Sequence, residues 1–277
     1  MKRLLVFTDL DGTLLDQSYS PAAAEPALKL LAAQDIPLIF CSSKTRAEIE
    51  VYRNRLHNRH PFVSENGGGI FFPRGYFPDS ALPPDPPAEG CGELLQLRLG
   101  APYRQLRQAL VQLRGEGFAI SGFGDLEVAD VAALTGLSLE QAALAKERDF
   151  DEPFLFAAGA AAEDQLLRRI GALGWHSTRG RLWHLLGASD KGRAVALLTD
   201  CYRARDGEVL TIGLGDQRND FPMLEQVDIP ILVRQPEGSY VSGCGAKHLQ
   251  YSHQVGPAGW NEVLSKLLPA LQGGEIP

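Results

Sequence analysis

The chain opens on a short apolar run, Leu4-Leu5-Val6-Phe7-Thr8, that stops at acidic residues and a glycine. This is the pattern of a parallel strand buried on both faces. Ala22 to Gln34, with Leu28, Leu30 and Leu31 among alanines, predicts a helix. Ile36-Pro37-Leu38-Ile39-Phe40-Cys41 predicts a second buried strand, and Thr45 to Leu56 a second helix. Phe62-Val63 and Gly69-Ile70-Phe71-Phe72 flank a glycine-rich turn. The βαβα order predicts a parallel sheet with helices on its faces.

The pattern then changes. Residues 78–92 (PDSALPPDPPAEGCG) are dense in proline, glycine and acid, which predicts a linker or domain boundary. Beyond it, Leu94–Leu99 alternates like a half-buried strand and Tyr103–Arg114 reads as an amphipathic helix. Phe118–Ile120, Pro153–Ala157 and Arg181–Leu186 read as strands, and Val128–Leu134, Leu139–Lys146 and Glu163–Leu173 as helices. Without strict alternation these predict an α+β unit about one antiparallel sheet. From Ser189 the βα pattern resumes, with helices starting at Lys191 and Phe221, strands Val209–Leu214 and Ile229–Val233, and a closing helix Trp260–Leu271. We therefore expect an α/β core formed by residues 1–85 and 188–277, interrupted by a second domain over 86–187.

Composition narrows the function classes. With 277 residues, 44% hydrophobic and 22% charged, the chain has the make-up of a globular protein of one large or two modest domains. A formal net charge of −7 argues against a general nucleic-acid binder, though an anion is still held where a few cations converge. No stretch approaches the ~20 apolar residues of a membrane span, and the N-terminus lacks the apolar core of a signal peptide. Cys41, Cys91, Cys201 and Cys244 form no CxxC pair. The expectation is a reduced, cytoplasmic protein with neither membrane nor nucleic-acid partner.

Four short motifs fall at the ends of predicted parallel strands, where an open α/β sheet binds its ligands. In Asp9-Leu10-Asp11-Gly12-Thr13, period-two alternation points both aspartates the same way. Close carboxylates resist double ionisation, so one is free to act as nucleophile while the other holds a proton. Ser42-Ser43-Lys44 offers a hydroxyl donor, and Asp190-Lys191-Gly192 puts a cation at a helix start. Gly213-Leu214-Gly215-Asp216-Gln217-Arg218-Asn219-Asp220 places acidic groups on a glycine-rich strand end. Each has a structural counterpart reading: a turn aspartate, a solvated helix lysine. The four together, in order, favour chemistry. Asn66-Gly67-Gly68 reads either as a turn or as a substrate contact, since glycine permits close backbone approach. His57 and His60 have helical spacing but no partner ligands nearby, and read as an exposed helix end.

The order DLDGT, strand-end Ser, DKG and GDxxND resembles the haloacid-dehalogenase superfamily of aspartate-nucleophile phosphatases, and the interruption is similar to that superfamily's large α/β cap. A closer resemblance, over nearly the whole chain, is to mannosyl-3-phosphoglycerate phosphatases. It is carried by Ser42-Ser43-Lys44-Thr45-Arg46-Ala47-Glu48, Glu65-Asn66-Gly67-Gly68, Leu134-Thr135-Gly136-Leu137-Ser138, Arg148-Asp149-Phe150-Asp151-Glu152, Gly180-Arg181-Leu182-Trp183-His184 and Gly256-Pro257-Ala258-Gly259-Trp260.

The resemblance implies a Rossmann-like core with an inserted α+β cap, and a Mg²⁺-dependent hydrolysis of a sugar phosphoglycerate. It implies Asp9 as nucleophile, Asp11 as acid and base, and Mg²⁺ on the Asp9 and Asp216 carboxylates and the Asp11 backbone carbonyl. Ser42 and Lys191 would grip phosphate oxygens, and Asn219 and Asp220 would orient these groups. Lys44, Asn66 and Gly67, with Arg148, Arg181 and His184 from the cap, are candidates for the rest of the substrate. Gln217-Arg218 departs from the small or neutral residues usual there. Glucosyl-3-phosphoglycerate is the close alternative substrate. More distant rivals are another capped sugar phosphatase, for sucrose phosphate or a hexose phosphate, and an inert ligand-binding protein on the same fold.

Overall fold

The computed structural model describes residues 2–157 and 159–273. In chain order the elements are β1 (Arg3–Thr8), α1 (Glu25–Ala33), β2 (Leu38–Cys41), α2 (Arg46–Arg55), β3 (Phe62–Ser64), β4 (Gly69–Pro73), β5 (Glu89–Cys91) and β6 (Leu94–Arg98). There follow α3 (Tyr103–Gly115), β7 (Ile120–Gly122), α4 (Val128–Thr135), α5 (Leu139–Ala145), β8 (Asp151–Phe156), α6 (Ala160–Ala172), β9 (His176–Arg179) and β10 (Trp183–Leu186). The chain closes with α7 (Lys191–Asp206), β11 (Val209–Gly215), α8 (Phe221–Leu224), β12 (Ile229–Arg234), β13 (Gln250–Val255) and α9 (Gly256–Gln272).

A nine-stranded sheet runs β13-β12-β11-β1-β2-β3-β4-β6-β5. The six strands from β13 to β3 are parallel, and β4, β6 and β5 continue it antiparallel. The continuous apolar runs follow from burial on both faces. Val6, Leu38, Phe40, Ile212 and Leu214 pack on one side with Leu31 of α1, Ile49 of α2 and Trp260 of α9. Their neighbours Leu5, Phe7, Ile39 and Cys41 pack on the other with Val195 and Leu198 of α7 and Leu224 of α8. Trp260 is fully buried and its indole N–H donates to Thr8 Oγ1 at 3.0 Å, tying α9 to the last residue of β1.

A second, antiparallel sheet, β7-β8-β10-β9, carries its own core against α3 and α6. The short helices α4 and α5 enclose a smaller cluster around Phe123 and Val131. The sequence pattern placed Leu94–Leu99 in this inserted unit, but β6 pairs with β4 throughout and extends the large sheet. Alternation announces a strand without saying which sheet receives it. We propose that the chain leaves the core at residues 99–102 and returns at 187–190, where a Cβ on Gly187 would lie 2.8 Å from Ala101. Three strands absent from the sequence reading, β5, β9 and β13, are edge strands, β5 falling within the stretch read as a linker. No single helix among the described residues is long and apolar enough to cross a membrane.

The position of Trp260 makes its burial measurable. Trp260→Ala should lower unfolding stability by about 3–5 kcal/mol, read from urea denaturation. A loss under about 1 kcal/mol would show that α9 does not anchor β1.

Candidate active site

The site is built at the carboxyl ends of β11, β1 and β2, which are neighbours in the sheet. The chain passes from β1 to β2 on one side while β11 lies on the other, and diverging loops leave a crevice there. Asp9 follows β1 directly and is fixed by its backbone N–H, which donates to the Leu214 carbonyl at 2.9 Å. The residue is 5% exposed, and its Oδ1 accepts from Lys191 Nζ at 2.6 Å. The same ammonium, fully buried, donates to Asp220 Oδ1 at 2.5 Å.

Asp9, Asp216 and Asp220 bring carboxylate oxygens within 4.8 Å of one another. The three differ in what they have left to offer. Asp220 Oδ2 already accepts the backbone N–H groups of Asp216 and Gln217, at 3.0 and 2.9 Å. Asp216 accepts from Thr13 Oγ1 at 2.9 Å and from Gln217 Nε2 at 3.2 Å. Gly12, at φ +84°, lets the loop close on this carboxylate; a Cβ there would stand 2.6 Å from Asp216 Oδ2.

The electrostatics follow from burial. Loss of water raises the Asp9 carboxyl to about 7; Lys191 opposes this and Asp220 adds to it. Asp216 is pushed well above the usual carboxylate range, first by burial and then by Asp220 and Asp9. Burial alone would lower Lys191, but the attraction of Asp220 and Asp9 outweighs it and the ammonium is held above its ordinary value. One ammonium cannot neutralise three carboxylates, so ionising the whole cluster calls for a further cation. That donor set, hard oxygens with Asp9 and Asp216 least committed, fits a hard divalent cation.

Asp11 and Ser42 flank the cluster. Asp11 Oδ2 meets Lys44 Nζ at 3.0 Å, and its Oδ1 is buried without a hydrogen-bond partner. Lys44 is almost fully buried, also reaches Glu48 at 3.3 Å, and lies 4.8 Å from the centroid of the Tyr19 ring. Ser42 Oγ accepts the Lys44 backbone N–H at 3.2 Å, which leaves its hydroxyl proton to donate elsewhere. The sequence brought these residues into one neighbourhood, and the structure joins them.

The turn between β3 and β4 explains the Glu65-Asn66-Gly67-Gly68 stretch. Glu65 and Asn66 are buried at φ 49° and 54°, in the left-handed region that costs a non-glycine residue energy. The Glu65 carboxylate accepts the backbone N–H groups of Asp149, Phe150 and Asp151 from the inserted domain, at 2.9–3.1 Å. Burial, opposed by Arg148, raises this carboxyl to about 8. Asn66 donates to Asp151 at 2.7 Å and accepts from Asn219 at 3.0 Å. Gly67 has a packing reason: a Cβ would lie 2.0 Å from the Asp190 carbonyl.

The inserted-domain candidates sit at this junction. The Arg148 side chain is buried, donates to the Ser43 and Ala145 carbonyls, and lies 3.9 Å from Asp151 and 4.0 Å from Glu48. His184 Nδ1 is 2.9 Å from Asp151. Arg181 is exposed and donates to the Thr135 carbonyl at 2.9 Å and towards Tyr19 at 3.4 Å. Sequence reasoning singled out neither Glu65, Asp151 nor Tyr19 by role; buried acids in a glycine-rich turn and a strand start were the signal available. His57 is exposed, and His60 is half-buried against the Tyr76 hydroxyl at 2.8 Å, away from any acidic cluster. All four cysteines are free.

The fold gathers a buried acidic cluster at its strand ends, and residues 6–81 match the family described as haloacid dehalogenase-like hydrolase. A solved haloacid dehalogenase-like hydrolase from B. subtilis superposes with a TM-score of 0.65, covering 95% of this chain and 99% of that one, at 15% identity. The glucosyl-3-phosphoglycerate/mannosyl-3-phosphoglycerate phosphatase of Methanococcoides burtonii is 44% identical over 267 residues, 95% of this chain and 97% of that protein. The mannosyl-3-phosphoglycerate phosphatase of Pyrococcus furiosus is 36% identical over 83% of this chain and 90% of its own length. The chain belongs to the mannosyl-3-phosphoglycerate phosphatase family of haloacid dehalogenase-like hydrolases, and is a phosphoric monoester hydrolase.

The raised carboxyls give the metal-free protein a defined pH response. Asp9 and Asp216 stay protonated to higher pH when folded than when unfolded, so stability falls as pH climbs from about 4 through about 7. A divalent cation binds the ionised form and reverses that loss. The rise in Tm on adding Mg²⁺ to EDTA-treated protein should therefore be several degrees larger near pH 8 than near pH 5. Equal shifts at both would exclude these carboxylates as the cation's ligands.

Proposed function

We propose that the protein hydrolyses mannosyl-3-phosphoglycerate and glucosyl-3-phosphoglycerate to the glycosylglycerate and phosphate, with Mg²⁺ and through an aspartyl-phosphate on Asp9. The observation that carries this is the buried Lys191 ammonium between Asp9 and Asp220, with Asp216 alongside, in a chain matched over nearly its full length by relatives named for these substrates. The Methanococcoides burtonii relative is named for both sugars, which favours including the glucosyl substrate beside the mannosyl one.

The residues divide the work. Lys191 favours the ionised form of Asp9 against the burial that raises its carboxyl, and aims it for in-line attack on phosphorus. Ser42 donates its free hydroxyl proton to a phosphoryl oxygen, and Lys191 shares its charge with another. Mg²⁺, held by Asp9 and Asp216 and the Asp11 carbonyl, would neutralise phosphoryl charge. Asp11 protonates the departing glycerate oxygen, then takes a proton from the water that attacks the aspartyl-phosphate. Lys44, 3.0 Å from Asp11, stands where the glycerate carboxylate follows the leaving oxygen, and Arg181 lies above it on Tyr19. His184, Asn66 and Asn219 line the substrate from the other side, while Arg148 and Gly67 serve by fixing the junction. Asp220 orients Lys191 and the turn that carries Asp216.

Phosphate release with each glycosyl-3-phosphoglycerate is the direct test. Turnover of both should vanish with EDTA, return with Mg²⁺, and exceed that of sucrose phosphate and hexose phosphates. A preference for sucrose phosphate, or full activity without metal, would contradict the proposal. Asp11→Asn should lower kcat on the glycosyl substrate by about 10²–10⁴-fold, and less for formation of phosphoenzyme from p-nitrophenyl phosphate, whose leaving group needs no acid. Equal losses in those two steps would take the acid role away from Asp11.

A further inference from the structure

Beside the reacting carboxylates lies a cleft of about 230 Å³ between β9, the segment leading into α7, and the turn after β11. It shares Lys191 and Asn219 with the catalytic cluster. Strand register decides which side chains of the inserted domain face it. Thr178 pairs with His184 and His176 with Leu186, so these four lie on one face of the small sheet. Asp151, opposite Leu186, belongs to that face and bonds Asn66 of the core, so the face is turned towards the core. The other face carries Leu185 and Phe154 into the inserted domain's own apolar cluster.

Two lining residues hold buried polar atoms without partners, Ser189 Oγ and Asn219 Oδ1, in side chains belonging to residues only 4% and 8% exposed. Native proteins rarely leave such atoms unpaired, and those that stay so await a water or a ligand. Asn219 has its amide group fixed by Asn66, which aims the free oxygen as an acceptor. The charges in the lining are already engaged: Lys191 on Asp9 and Asp220, and Asp190 on the Arg193 backbone N–H at 2.8 Å. What remains is hydroxyl, amide, the exposed imidazole of His176 and, at Leu186, Ala188 and Pro222, apolar surface. That combination suits a neutral polyol with polar edges and a C–H face. It offers a carboxylate no lysine or arginine besides Lys191, whereas the glycerate follows the leaving oxygen, on the side where Lys44 stands beside Asp11.

We propose that this cleft seats the glycosyl ring of the substrate, with Ser189, Thr178 and Asn219 as partners of its hydroxyl groups. The assignment rests on the proposed glycosyl-3-phosphoglycerate activity and adds a division of the substrate: sugar against β9 and Ser189, glycerate carboxylate against Lys44. Ser189→Ala and Thr178→Val remove one hydrogen-bonding group each with little change of shape. Ala188→Phe, at an exposed position of the lining, fills the cleft instead.

The test is the ratio of kcat/KM on mannosyl-3-phosphoglycerate to that on p-nitrophenyl phosphate, with Tm as the folding control. Ser189→Ala and Thr178→Val should each lower this ratio about three- to tenfold, mainly through KM. Ala188→Phe should lower it further. Wild-type protein that turns over the glycosyl substrate, with variants whose ratio is unchanged, overturns the cleft assignment alone. Wild-type protein that hydrolyses p-nitrophenyl phosphate but neither glycosyl-3-phosphoglycerate overturns the proposed activity, and the cleft assignment with it.

Discussion

One buried ammonium holds this molecule's chemistry in place. Lys191, itself fully buried, offsets the Asp9 and Asp220 carboxylates, and Asp216 stands beside them. Removing one partner of such a pair typically costs about 3–5 kcal/mol, because the others are left charged and dry. The lysine even sits where a helix disfavours it, in the first turn of α7, at the positive end of the helix dipole. The carboxylates override that bias. Close packing then follows from the need to hold these groups together. A Cβ on Gly192 would lie 2.3 Å from the Pro222 carbonyl, and one on Gly215 would lie 2.4 Å from the Asp220 Cβ. Both glycines let α7, β11 and the turn carrying Asp220 approach closely enough for the ion pairs to form.

The same economy governs how the inserted domain meets the core. Glu65 and Asn66 accept left-handed backbone strain in exchange for a carboxylate that binds consecutive N–H groups of 149–151 and an amide that bridges Asp151 to Asn219. Through Asp151 the chain of contacts continues to His184, and through Arg148 to Ser43, the residue after Ser42. The cleft-facing side of the inserted sheet is thus registered on the turn that carries Asp216 and Asp220. A sugar placed against β9 would be held by the same framework that positions Asp9.

Much of this was legible in the sequence. The parallel strands were visible because burial on both faces gives uninterrupted apolar runs, and Asp9, Ser42 and Asp216 stood at their ends; Lys191, expected at such an end too, instead opens α7 after a strand of the antiparallel sheet. The less legible parts have physical causes. In β9, His176-Ser177-Thr178-Arg179 carries no apolar periodicity because one face looks into a polar cleft. At the sheet's open edge, Gln250–Val255 alternates only weakly. Leu94–Leu99 was read as a strand of the inserted unit, whereas β6 pairs with β4 of the large sheet, a partner fixed by tertiary pairing rather than local pattern. The sequence also separated Asp220 from the candidate metal ligands, and the hydrogen bonds to both of its oxygens supply a reason: it is occupied with Lys191 and the turn.

The central claim is that Asp9, held by Lys191, is the atom-bearing nucleophile. Intact-mass spectrometry of rapidly quenched Asp11→Asn protein with p-nitrophenyl phosphate tests it most directly, because Asp11 is also needed to break the intermediate down. The account predicts one added phosphoryl group, located by fragmentation on the peptide containing Asp9 and absent from Asp9→Asn. A phosphoryl group on another residue, or turnover of substrate by Asp9→Asn, would contradict it.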